Sequence, residues 1–158
     1  MTLDQRAEGW LDALFHARLR EAMAHTLHRY RLLCPAYCLM PDHGHFVWMG
    51  TGDASDQLRA SGLFRREWNA LLGKGLRLQK QAYDHVCRGE ERGRDALRRA
   101  CQYVMDNPVR AGLVERFECW PFLGAMAPGY PRLHPQEPAF WERFWKIYEI
   151  ETRPARPW

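Results

Sequence analysis

A chain of 158 residues with 46% hydrophobic and 27% charged residues is long enough to bury one real core and has the composition of an ordinary globular protein. Its formal charge of +4 points mildly to a polyanionic partner and says nothing about fold. No apolar run approaches the roughly 20 residues a membrane helix needs, residues 1–6 lack the charged-then-apolar signature of a secretory signal, and five cysteines without regular spacing argue against a disulfide framework. A single-domain, cytoplasmic protein with no membrane association is therefore expected.

Residues 1–16 carry little pattern beyond an apolar burst at Trp10, Leu11, Ala13, Leu14 and Phe15. From about residue 17 to residue 32 the period is helical, with Leu19, Met23, Leu27 and Tyr30 on one stripe and Pro35 closing the segment. Ala36 to Met40 and His43 to Met49 then read as one interrupted strand or two abutting ones, with Pro41 at a bulge or an edge because it cannot donate to a ladder. A second helix spans 57–72, with Leu58, Leu63, Phe64, Trp68, Leu71 and Leu72 as its apolar set and Gly73 ending it. Leu76 to Val86 alternates loosely, as a strand plus a turn would. A third helix runs from Asp95, as N-cap, to Met105, burying Leu97, Ala100, Cys101 and Val104. Asn107-Pro108 breaks it and starts a new turn through Val109, Arg110 and Ala111. Residues 126–158 form a Pro- and Trp-rich extension with an amphipathic helix near 137–150. The expected fold class is α+β: a small antiparallel sheet covered by helices, with a Trp-rich helix at the C-terminal end.

Two short stretches carry chemistry. In His43-Gly44-His45 on a strand, alternation puts both imidazoles on one face, close enough to chelate one cation. Two neutral imidazoles make only half a coordination shell, and Asn107, Gln79, Asp42, Asp84 and His85 are the candidates to extend it. With amide or carboxylate partners, a Mg²⁺- or Mn²⁺-type ion engaged on phosphate oxygens fits. A zinc site through Cys34, Cys38, His43 and His45 does not match standard Cys/His spacing. In the second stretch, Tyr103 shares a helix face with Arg99, Ala96 and Asn107, beside the apolar stripe. A phenol with an ordinary pKa of about 10 is mostly protonated at neutral pH and needs help as a nucleophile. Asn107 also has a plain structural use as a cap. Arg65, Arg66, Lys74, Arg77, Lys80, Arg88, Arg99 and Arg110 recur around the two stretches, interleaved with Trp68 and Tyr83. A solvated face and a nucleic-acid channel both have this composition.

Leu39-Met40-Pro41-Asp42-His43-Gly44-His45 resembles the HUH (His-hydrophobic-His) motif of the single-tyrosine, IS200-like transposases. Tyr103-Val104-x-x-Asn107-Pro108-Val109-Arg110-Ala111-Gly112-Leu113-Val114 resembles the tyrosine segment of their REP-associated branch. Gln79-x-x-Ala82-Tyr83-Asp84-His85-Val86-x-Arg88 and Trp120-Pro121-Phe122 match further family stretches in the same order, so the likeness covers about residues 17–125. The resemblance implies that His43 and His45, with Asn107 as third ligand, hold a divalent metal, Mg²⁺ or Mn²⁺. It also implies that Tyr103 attacks single-stranded DNA near a hairpin to give a 5′-phosphotyrosine link, in a monomer or a homodimer associated with the nucleoid. The eight basic residues named above would line the DNA path. A catalytically silent hairpin-binding protein derived from such an enzyme is the alternative. Two departures stand out. Gly44 lies where the family has a bulky hydrophobe, which is expected to loosen the hold on the imidazoles. The aromatic first strand of the family is also replaced by sixteen weakly patterned residues.

Overall fold

The computed structural model describes residues 1–73, 75–80 and 93–153. Helix α1, Ala13–Arg29, starts four residues before the periodic pattern suggested, because the Asp12 carboxylate accepts from the backbone N–H of Phe15 at 2.7 Å and so caps the first turn. Leu19, Met23 and Leu27 are buried as the stripe predicted. Strand β1, Leu32–Met40, and strand β2, His43–Gly50, form an antiparallel hairpin whose turn is Pro41-Asp42. The two apolar runs are therefore separate strands folded back on each other.

Pro35 does not close the helix. It sits inside β1, at a register shift that affects both neighbouring strands. A proline has no N–H for the ladder, and the irregularity accommodates it. The extra residue also swaps the parity of the strand. Leu33 and then Ala36, Cys38 and Met40 face one side, while Cys34 and then Tyr37 and Leu39 face the other. All nine residues of β1 are buried because helices cover both sides.

Helix α2, Gln57–Leu72, has the predicted bounds, is capped by Asp56 at the N–H of Arg59, and buries Ala60, Phe64 and Trp68. Leu58, expected on the apolar face, is exposed. Helix α3, Arg94–Met105, buries Cys101, Val104 and Met105, and its N-cap is Gly93 in place of the expected Asp95, which falls in the first turn. Helix α4, Asn107–Arg110, is the turn that Asn107-Pro108 was expected to start. Strand β3, Leu123–Met126, had no readable signal in its four residues. It pairs with the other edge of β1 to give the order β2-β1-β3. Helix α5, Phe140–Glu151, closes the described chain.

The sheet has two different covers. α1 and α2 pack Leu19, Met23, Phe64 and Trp68 against Tyr37, Leu39, Phe46 and Trp48. α3 and α5 cover the opposite side, where Cys101, Val104 and Met105 meet Ala36, Cys38 and Met40, and where Phe140, Phe144 and Ile147 meet Leu33 and Ala125. Residues 1–4, read as unpatterned, run along the free side of β2. Gly44 donates to the carbonyl of Met1 at 2.7 Å, Leu3 donates to that of Asp42 at 2.9 Å, and Leu3 bridges onward to Leu78. Isolated bridges at Thr2 and Leu3 thus stand where the family resemblance puts a first strand. Of the expected strand over 76–86, residues 81–86 lie outside the described residues. No helix among the described residues is long and apolar enough to cross a membrane.

Candidate functional site

Register decides which side the histidines face. Met40 lies opposite His43 and Cys38 opposite His45, and directly paired residues share a face. Cys38 and Met40 belong to the cluster under α3, so the imidazoles emerge on the α3 side of the sheet, at its turn end. Their Nε2 atoms approach to 2.9 Å and the rings meet edge-on.

Asp42, in the hairpin turn, binds the back of His43: Nδ1 donates to the carboxylate at 2.5 Å. The other carboxylate oxygen accepts from Arg6 at 2.8 Å. Burial alone would raise the carboxyl, but the His43 hydrogen bond and charge, with Arg6 behind them, hold it below the usual carboxylate range. A carboxylate can only accept, so Nδ1 of His43 is the donor in this bond. His45 is pulled down to about 4, first by burial and then by the charges of His43, the Met1 amine and Arg110, with Asp42 opposing. It is therefore a neutral imidazole, able to act as a ligand, across the physiological range.

These observations fit a cation held by two histidines. The two Nε2 atoms converge to hydrogen-bond distance, and a carboxylate orients one ring from behind, the arrangement that metal-binding histidines adopt. They do not fit the zinc alternative. Cys34 packs in the cluster under α1 and α2, on the side of β1 opposite the imidazoles, so the four side chains do not converge. Among the described residues no three His, Cys, Asp or Glu side chains converge as a metal group. Asp42 holds His43 from behind, and the backbone N–H of Gln79 donates to the carbonyl of Thr2. Asp84 and His85 lie outside the described residues.

Tyr103 is on α3, 53% exposed, with the Arg110 guanidinium 4.4 Å from its ring centroid. Arg110 is also close enough to His45 to depress its proton affinity. Arg110 thus stacks on the phenol, and its charge is felt, weakly, at His45. Asn107 takes a double place. Its Nδ2 donates to the carbonyls of Tyr103 at 2.9 Å and Val104 at 3.1 Å, tying the end of α3, and this leaves Oδ1 as its acceptor atom.

The basic residues divide. Arg99 and Arg110 are exposed on the tyrosine side, and Arg66 and Lys80 are exposed near α2. Arg77 faces Asp4 at 3.9 Å. Arg65 is engaged with the chain itself, donating to the backbone carbonyls of Gln79 and Lys80. Lys74 and Arg88 lie outside the described residues. Two site residues were undervalued in the sequence. Asp42 had a signal, an acidic residue immediately before the first histidine in a turn. Trp68 had none beyond its place in a helical stripe, yet a Cβ on Gly44 would lie 2.7 Å from its Cη2.

No protein-family model matches the chain, and no curated protein matches it. A solved structure does. It is a REP-associated tyrosine transposase bound to a REP hairpin, 22% identical, superimposing with a TM-score of 0.64 over 77% of this chain and 71% of that one. The fold is that of a REP-associated tyrosine transposase. The α+β architecture expected from the sequence, with its sheet-borne histidine pair and Trp-rich last helix, is accordingly the observed one.

Proposed function

We propose that this chain nicks and transfers single-stranded DNA beside hairpin-forming repeats, through a 5′-phosphotyrosine intermediate. The observation that carries the reading is the His43–His45 pair on β2, with Asp42 behind it and Arg110 stacked on Tyr103, in a fold shared with a hairpin-bound tyrosine transposase. His43 and His45 would hold a Mg²⁺- or Mn²⁺-type ion, with Asn107 Oδ1 as the third protein ligand. Such an ion, when bound, neutralises charge on a phosphate under attack.

The remaining work belongs to the chain. Arg110, with Arg99 on the same exposed side, attracts the DNA backbone to Tyr103. Tyr103 Oη forms the bond to phosphorus as the bond from phosphorus to the 3′ oxygen breaks. The phenol proton passes through solvent to the departing 3′ oxygen, leaving a free 3′-OH. The ester is conserved as a protein–DNA link, so the reverse attack by another 3′-OH rejoins strands with no energy source. Arg66, Arg77 and Lys80, with Lys74 and Arg88, would carry flanking DNA, and Arg65 would contribute through the loop carbonyls it holds.

The test is covalent trapping. Incubation with a labelled single-stranded hairpin and Mn²⁺ is expected to give a protein–DNA adduct stable to denaturation and lost in Tyr103→Phe. Hairpin binding without any adduct across cognate repeats would sink the enzymatic reading and leave a hairpin-binding module. Turnover that survives Tyr103→Phe would mean a hydrolase.

A further inference from the structure

We propose that Trp68 is a positioning residue for the histidine pair: from α2, on the far side of the sheet, its indole stands in for the side chain that residue 44 lacks. The functional consequence rests on reading the pair as a metal site, whereas the clamp itself does not. Side chains alternate along β2, so His43 and His45 point to α3 and residue 44 between them points to α2. A Cβ at Gly44 would meet Trp68 Cη2 at 2.7 Å, Phe46 Cε2 at 3.0 Å and Leu39 Cδ2 at 3.1 Å. The tip of the indole therefore occupies the space that a side chain at residue 44 would need.

That ring has nowhere to retreat. Trp68 is fully buried, and its ring is flanked by Trp10, Phe46 and Phe64 at centroid distances of 5.5, 5.7 and 5.8 Å. In the plane of the sheet, Gly44 is paired with Leu39 of β1 on one side and bonded to the Met1 carbonyl on the other. A glycine in a strand ordinarily brings freedom. Here the backbone at 44 is held from both strand edges and from the α2 face, and the face left open carries the imidazoles. The hydrophobe expected between the histidines is supplied from another element, and the pair is fixed where a loosened one was expected. A misplacement of the order of 1 Å is enough to weaken a polar site severely, so the height of this strand segment matters.

The experiment measures Mn²⁺ affinity of the full chain by the free-ion paramagnetic resonance signal, alongside melting temperature. Trp68→Ala and Gly44→Leu are each expected to weaken Mn²⁺ binding about tenfold or more, the range for groups that orient ligands from behind. The double variant Trp68→Ala with Gly44→Leu, in which a leucine fills the space of the lost ring, is expected to bind more tightly than either single variant. A double variant no tighter than the weaker single, or single variants that lower melting temperature while leaving Mn²⁺ affinity unchanged, would overturn the proposal. If Trp68→Ala does not fold, Trp68→Phe and Gly44→Ala carry the same comparison. If His43→Ala binds Mn²⁺ as well as the parent chain, the metal reading has failed. The clamp is then judged from the imidazole ¹⁵N signals of His43 and His45 at fixed pH. These must move in Trp68→Phe and return toward the parent positions in the rescued double variant, and signals unmoved by Trp68→Phe would refute it.

Discussion

The side of the sheet turned to α1 and α2 is filled by rings: Phe46 lies edge-on to Phe64 and to Trp68, and Tyr37 stacks on Phe46. The side turned to α3 begins in the same apolar way, with Cys101, Val104 and Met105 on Cys38 and Met40, but ends at the hairpin turn in two imidazoles, a carboxylate and an arginine. The first side fixes shape by close packing, where any lost volume leaves a cavity. The second holds polar atoms that satisfy one another. One strand, β2, serves both, because alternation sends successive residues to opposite sides.

This contrast can be broken in order of expected effect. Phe64→Ala on the packed side should cost about 3–5 kcal/mol of unfolding free energy, read as the midpoint and extrapolated value of a urea titration. A loss below about 1 kcal/mol would mean that the aromatic cluster is not the core of the domain. His45→Ala on the open side should behave oppositely. Stability should stay within about 1 kcal/mol of the parent, while the covalent adduct with hairpin DNA falls by at least roughly 100-fold, as when a polarising group is removed. Equal losses of stability and adduct would erase the division between the two sides.

Asp42→Asn should reduce Mn²⁺ affinity by roughly tenfold with little change in fold, because the amide can no longer fix His43 as a carboxylate does. Unchanged affinity would show that His43 needs no orienting partner. The smallest effect concerns acid. His16 is held down to about 4, first by burial and then by Arg20, as its Nε2 meets the Tyr37 hydroxyl at 3.0 Å. A histidine lowered from an ordinary 6.5 binds fewer protons in the folded chain than in the unfolded one between those two values. Its stabilisation is therefore complete above about pH 6.5 and is lost as pH falls toward 4. His45 adds a term of the same sign. Urea midpoints should thus decline from pH 7 to pH 4.5, and His16→Gln should flatten that decline. An unchanged slope in His16→Gln would reassign the acid sensitivity to His45 and the carboxylates.

Much of the fold was legible because periodicity and punctuation agreed. The bounds of α2 follow from its apolar spacing together with Gly73, and α4 from Asn107-Pro108. The misreadings share a cause. Asp12 as a cap and Pro35 inside a strand are local signals whose meaning depends on what lies across from them. β3 is only four residues long, and its pairing to β1 is a long-range event that no window of sequence reveals.

By itself, then, the sequence determined the chemical inventory and the faces: two imidazoles one residue apart, a phenol one turn before an asparagine, and helices with single apolar stripes. These follow from the fixed periods of strand and helix, which are local properties of the backbone. Only the tertiary structure decided the rest. It turned the hairpin so that the histidines face α3, set the Asp42 carboxylate behind His43, stacked Arg110 on Tyr103, and laid Trp68 against the strand at Gly44. Those are contacts between distant parts of the chain, chosen by which surfaces pack densely together.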